Sequence, residues 1–118
     1  MAEPCSYQLY ITLSRNAVIR VGALGRHRFS AGEYLYTGSA RRNIEARIRR
    51  HCSDNKRLRW HIDYLLHHPA ARVVRVERSI LPECRLNQAS VGEIPVPGFG
   101  ASDCRSGCGS HLKYLGPV

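Results

Sequence analysis

At 118 residues the chain is long enough for one domain with a real core and too short for two; its 18 Lys+Arg against 9 Asp+Glu, a net charge of +9, point to a polyanionic partner. No run approaches the roughly 18 apolar residues of a membrane span, and the opening Met-Ala-Glu-Pro does not begin a signal peptide, so a cytoplasmic protein is expected. Five cysteines, an odd count without a secretory signal, favour thiols or metal ligands over a disulfide framework.

Tyr7 to Leu13 (YQLYITL) reads as a first strand with Tyr7, Leu9, Ile11 and Leu13 on one face. Asn16 turns the chain, Ala17 to Leu24 is a second strand, and Arg26-His27-Arg28 is a basic connection. The third strand runs from Glu33 to Thr37. Gly38 is expected to break it and Ser39 to cap a helix that reaches about Cys52, an arrangement that aims backbone N–H groups at a bound anion such as a phosphate. Ile44, Ile48 and Cys52 make the helix's core stripe, while Arg47 and His51 lie one above the other on its flank. Tyr7 and Tyr36 are then expected to meet on one sheet face beside the helix N-terminus. The plainer reading of the helix is a solvated basic face.

Asp54 or Asn55 is expected to cap a second helix running to His67, stopped by Pro69, with Leu58, Ile62, Leu65 and Leu66 inward. His61, Tyr64 and His68 share one flank. Trp60 projects away from the stripe and has two readings: packing beneath a loop, which is the default, or stacking on a base. His61 and Asp63, two residues apart, cannot face each other on a helix. Arg72 to Glu77 is a further strand, and Pro82 opens a short helix from Glu83 to about Ala89. From Ser90 the chain is loop-like until His111 to Leu115, with Phe99, Asp103 and His111 spaced like residues a site recruits. Cys84, Cys104, Cys108 and His111 are the donor types of tetrahedral zinc, but their spacing is loose, so small buried thiols are the preferred reading and zinc the less favoured one.

Tyr36-Thr37-Gly38, followed by Asn43-Ile44-Glu45-Ala46-Arg47 and His51, resembles the second half of the GIY-YIG nuclease signature, in which YIG precedes an N-L-x-x-R helix and often a histidine four residues later. Cys5-Ser6-Tyr7 stands where the first half belongs, with only the tyrosine kept. The runs WHIDYLL (60–66), ECRL (83–86), PGFGASDC (97–104) and SHLKYL (110–115) resemble the compact Uri-like branch of that superfamily. The resemblance extends over nearly the whole chain.

It implies an α/β sandwich, a small, mainly antiparallel sheet flanked by helices, forming one nuclease domain over residues 1–118 with a loop-rich segment from about 90. It also implies a metal-dependent endonuclease acting on phosphodiester bonds in DNA rather than RNA, single-stranded or structured DNA included. Glu83 would hold Mg²⁺ or Mn²⁺, with Glu77 as substitute; its plainer role is a carboxylate favoured at a helix N-terminus. Arg47 would stabilise the transition state. Tyr7 would be the general base, although a phenol with pKa near 10 needs a cationic neighbour for that. Tyr36 would orient water or phosphate, and His51 would relay protons. Gly38, Ser39, Arg50, Trp60, His61, Ser102, Asp103 and His111 would contact substrate. The superfamily's final asparagine has no match here, and Ser102 or Asp103 stands in. The alternatives are a non-catalytic nucleic-acid-binding module of the same fold and a zinc-stabilised interaction domain.

Overall fold

In the computed structural model, which describes residues 3–40, 42–53, 57–101, 104 and 106–118, the apolar first strand lies inside the main sheet. This β1 (Ser6–Leu13) pairs antiparallel with β4 (Gly32–Ser39) on one side and β5 (Ala71–Ser79) on the other, and β6 (Leu112–Gly116) pairs with β4. The sheet order is β5-β1-β4-β6. Alternation along β1 sends Tyr7, Leu9, Ile11 and Leu13 to one buried face. There they join Ile48 of α1 (Ile44–Cys52) and Ile62 and Leu65 of α2 (His61–His67) in the core. The other face is approached by α3 (Glu83–Ala89), where Gln8 Nε2 donates to Ser90 Oγ just past the helix end. The architecture is an α/β sandwich, as expected. No helix among the described residues is long and apolar enough to cross a membrane.

The expected second strand is shorter and its sequel different. β2 ends at Arg20, Gly22–Leu24 forms a 3₁₀ turn between glycines at φ 48° and 79°, and the supposed basic connection is β3 (Arg26–Phe29), paired with β2 from Ala17↔Phe29 to Arg20↔Arg26. Positive φ at both glycines turns the chain back where the apolar pattern alone read on.

Gly38 does not break its strand. It faces Tyr7 across the β1–β4 ladder, and a Cβ there would lie 2.5 Å from Tyr7 Cζ and its hydroxyl. The glycine is needed for close approach of a ring. Ser39 therefore belongs to β4 and is no helix cap; α1 starts at Ile44, after Asn43 in the left-handed region at φ 52°, a conformation asparagine tolerates. The inward face of α1 also differs, with Cys52, its last residue, exposed and His51 buried instead.

α2 begins at His61, later than expected, and Leu58 stands outside it. The expected caps Asp54 and Asn55 lie outside the described residues. The carboxylate of Asp63 closes the first turn instead, accepting the N–H groups of Arg59 and Trp60 at 2.9 and 2.8 Å. The segment before β6 is fastened by a bridge between Glu93 and Tyr114. Thr37 N–H donates to His111 carbonyl at 3.0 Å, which brings His111 to the sheet end that carries Tyr36 and Tyr7.

Candidate functional site

A cleft of about 520 Å³ opens at that sheet end, lined by side chains from β1, β4, α1, the start of α2, α3 and the loop before β6. Tyr7 and Tyr36 meet on one face, as expected, because Tyr7 pairs with Gly38 and Tyr36 with Leu9, making the tyrosines diagonal neighbours across the ladder. The helix starts that share the cleft with them are those of α2 and α3, while α1, which begins only at Ile44, reaches the site with Arg47 and its last-turn His51. The Tyr7 hydroxyl is 2.6 Å from His51 Nε2, with ring centroids 5.4 Å apart. Burial pushes the pKa of both phenols well above the usual value; Arg47 pulls Tyr7 the other way and is outweighed. Tyr7 is thus a protonated phenol with an imidazole in reach, and the expected cationic activation does not prevail.

Arg47 lines the cleft, and its Nη1 donates to Ser39 carbonyl at 2.6 Å. Its guanidinium lies 5.0 Å from the centre of the Trp60 ring, and that of Arg50 lies 4.2 Å from it. The two arginines differ in what else they do. Arg50 grips both carboxylate oxygens of buried Asp63 at 2.9 Å and also donates to Arg57 carbonyl. It is not on the cleft wall, so the substrate contact expected of it is not where its guanidinium is placed. Burial raises the Asp63 pKa, but Arg50 and the N–H groups of Trp60 and Arg59 outweigh it and hold the carboxyl below its usual value.

Trp60 packs against His51 at 5.7 Å between centroids and also forms cleft wall, so features of both its expected positions coexist. Arg59, which the sequence pattern did not single out, lines the cleft as well; the Arg-Trp pair at the helix start was its only signal. His61 Nδ1 accepts the N–H of Gly100 at 2.8 Å, and burial lowers its pKa. Gly100 sits at φ 67°, and a Cβ there would meet Tyr36 Cε1 at 3.1 Å, so the loop passes as close to the site as backbone allows. Phe99, read as a residue a site recruits, is fully buried core against Tyr36, His61 and Phe29. Gly38 lies under the Tyr7 ring and off the wall, whereas Ser39 is on it. Ser102 and Asp103 lie outside the described residues. Glu77, the substitute metal ligand, pairs with Arg75 on the exposed edge strand.

Glu83 lines the cleft at the start of α3, and its Oε2 is 3.1 Å from Nδ1 of buried His111. That contact, ahead of the opposing effect of burial, lifts the His111 pKa to about 9. The other ring nitrogen, Nε2, is 3.9 Å from Cys84 Sγ, which is itself 3.5 Å from Cys104 Sγ. The donor atoms of Cys84, Cys104, Cys108 and His111 all lie within 4.8 Å of one another. Sequence spacing made this set look too loose for a metal; the pairing of β4 with β6 and the turn of the loop close it. Nor are the cysteines the small buried residues expected, since all three are partly exposed. Backbone N–H groups of Cys108 and Ser106, then His111, pull the Cys104 thiol down to about 6, while burial pushes Cys84 up to about 11. This cluster has the composition to hold a metal ion, and its thiols suit a softer ion than Mg²⁺.

A family model described as "Domain of unknown function DUF123" matches residues 6–117. Neither a curated protein nor a solved structure matches the chain. With nearly every residue inside the match, the chain belongs to the DUF123 family.

Proposed function

We propose that this protein is a metal-dependent endonuclease that hydrolyses phosphodiester bonds in DNA. One observation carries the reading. Tyr7, Tyr36, Arg47 and Glu83, four of the five residues its resemblance to GIY-YIG nucleases marks as catalytic, come from four different elements and line one cleft, and the fifth, His51, touches Tyr7 from behind that wall. The net charge of +9 supports a polyanionic substrate.

On this reading each residue takes one role. A water between Tyr7 and the phosphate loses its proton to the Tyr7 oxygen as Tyr7 passes its own proton to His51 Nε2 across 2.6 Å. The imidazole acts through Tyr7, which removes the need for a free phenolate. The water oxygen bonds to phosphorus, the bond to the leaving oxygen breaks, and that oxygen finally takes a proton from solvent. Arg47, its fork anchored on the Ser39 carbonyl and the Trp60 face, donates to the equatorial oxygens, and such a preorganised donor is worth more in the transition state than in water. Tyr36 orients the phosphate. Glu83 has the hard oxygen donors that Mg²⁺ or Mn²⁺ prefers, and one such carboxylate plus substrate oxygens and waters is an ordinary set for Mg²⁺. A cation held there would neutralise phosphate charge.

The contact between Glu83 and His111 favours a second reading, a nucleic-acid-binding module without cleavage, because it occupies one oxygen of the only cleft carboxylate among the described residues. Incubation of single- and double-stranded DNA and RNA with Mg²⁺ or Mn²⁺ separates the two. Metal-dependent cleavage of DNA, lost in Arg47→Ala, supports the nuclease; binding without cleavage supports the module.

A further inference from the structure

We propose that Cys84, Cys104, Cys108 and His111 form a closed, structural Zn²⁺ site that staples α3 and the loop before β6 to the end of the sheet. The proposal does not rest on the nuclease reading.

Distance is the first argument. Four donors around tetrahedral zinc at about 2.3 Å for sulfur and 2.0 Å for nitrogen stand roughly 3.5–3.8 Å from one another. Two measured separations bracket that value, 3.5 Å for Cys84 Sγ to Cys104 Sγ and 3.9 Å for Cys84 Sγ to His111 Nε2, and no pair in the set exceeds 4.8 Å. Side-chain shifts of a few tenths of an ångström to about one would complete the tetrahedron.

The second argument is the histidine. His111 is buried and turns Nδ1 toward Glu83 Oε2 at 3.1 Å, leaving Nε2 on the thiol side. Metal-bound histidines characteristically offer their other nitrogen to a carboxylate, which fixes the tautomer and the ring plane. Glu83 supplies that partner.

The third argument is chemical selection. Three thiolates and an imidazole suit zinc and disfavour Mg²⁺ or Ca²⁺, and four protein ligands leave no open position for a reacting water. Hence the site is structural although it borders the cleft. Its ligands come from a helix, a loop and the residue before β6, so closure fixes the backbone around Gly107 and Gly109, both at positive φ.

The test uses the full chain, reduced and stripped of metal, then titrated with Co²⁺ and Zn²⁺. One equivalent of Co²⁺ should give the intense visible bands of tetrahedral cobalt and a near-ultraviolet thiolate charge-transfer band, both erased by one equivalent of Zn²⁺. Cys104→Ser should weaken zinc binding by at least 100-fold, whereas Cys5→Ser and Cys52→Ser should leave it unchanged. Absence of a thiolate charge-transfer band in the unsubstituted chain, or a Cys84–Cys104 disulfide that forms in preference to metal binding under reducing buffer, would overturn the proposal even if Cys104→Ser fails to fold. None of these readouts depends on cleavage, so zinc binding and nuclease activity can fail separately.

Discussion

The hydroxyl of Tyr7 lies 2.6 Å from Nε2 of His51, across a contact that links the first strand to the last turn of the first helix. Burial holds the phenol protonated well above neutral pH, so a Tyr7 that takes a proton from water must hand on its own. The pair should therefore behave as one unit. Tyr7→Phe and His51→Gln are each expected to lower the single-turnover cleavage rate by about 10²–10³, within the range of a general base, and the double variant should be little slower than either. Multiplicative losses would show that the two residues act independently.

Gly38 gives a prediction about folding. A methyl at this position would sit 2.5 Å from the Tyr7 ring, directly across the β1–β4 ladder from it, where β1 is paired on both sides and cannot yield easily. Gly38→Ala should destabilise the protein by about 2 kcal/mol, a typical result of overpacking, and slow cleavage by displacing Tyr7. Urea denaturation measures the first effect. Equal stability would mean that the ring moves freely and that Tyr7 is not held in place by its neighbour.

The Arg50–Asp63 pair sets a pH dependence. Asp63 is fully buried and its folded pKa is depressed, so its contribution to stability is present above the ordinary carboxyl value of about 4 and disappears as pH falls through the folded value. Asp63→Asn should lose about 3 kcal/mol at pH 7, the low end for breaking a buried ion pair because Arg50 keeps some solvent contact. The gap between variant and parent should narrow below about pH 4, as denaturation at a series of pH values would record.

Binding to DNA should weaken steeply with salt. A cationic surface that neutralises about five phosphates gives a log–log slope near −4.5 on duplex DNA. Fluorescence anisotropy at several salt concentrations gives the slope, and a value near zero would remove the electrostatic basis for a nucleic-acid partner.

The strand pattern was the most readable part of the sequence. Alternation in YQLYITL placed Tyr7, Leu9, Ile11 and Leu13 on the buried face, and the tyrosine spacing anticipated the meeting of Tyr7 with Tyr36. What sequence hid was set by distant partners. Gly38 looked like a strand breaker because its reason, the Tyr7 ring, is thirty-one positions away in the chain. The start of α2 was misplaced because Asp63, inside the helix, takes the cap's hydrogen bonds. Asp63 also captures Arg50 from another helix, which no local periodicity signals. The Cys/His cluster is the clearest case: twenty residues separate Cys84 from Cys104, and the β4–β6 ladder helps to bring His111 beside them.

The most direct measurement is the single-turnover cleavage of DNA in Mg²⁺ or Mn²⁺ by the parent, Arg47→Ala and Glu83→Gln, with DNA affinity followed in parallel. Arg47→Ala removes one preorganised donor from the transition state, about 3–4 kcal/mol or 10²–10³ in rate. Glu83→Gln removes the carboxylate that would hold the cation, and its rate should fall comparably at unchanged helix structure. Affinity should stay within a few-fold of the parent in both, because ground-state binding is spread over many arginines. Variants that cleave as fast as the parent, or a parent that binds DNA and never cuts it with either metal, would contradict the nuclease account.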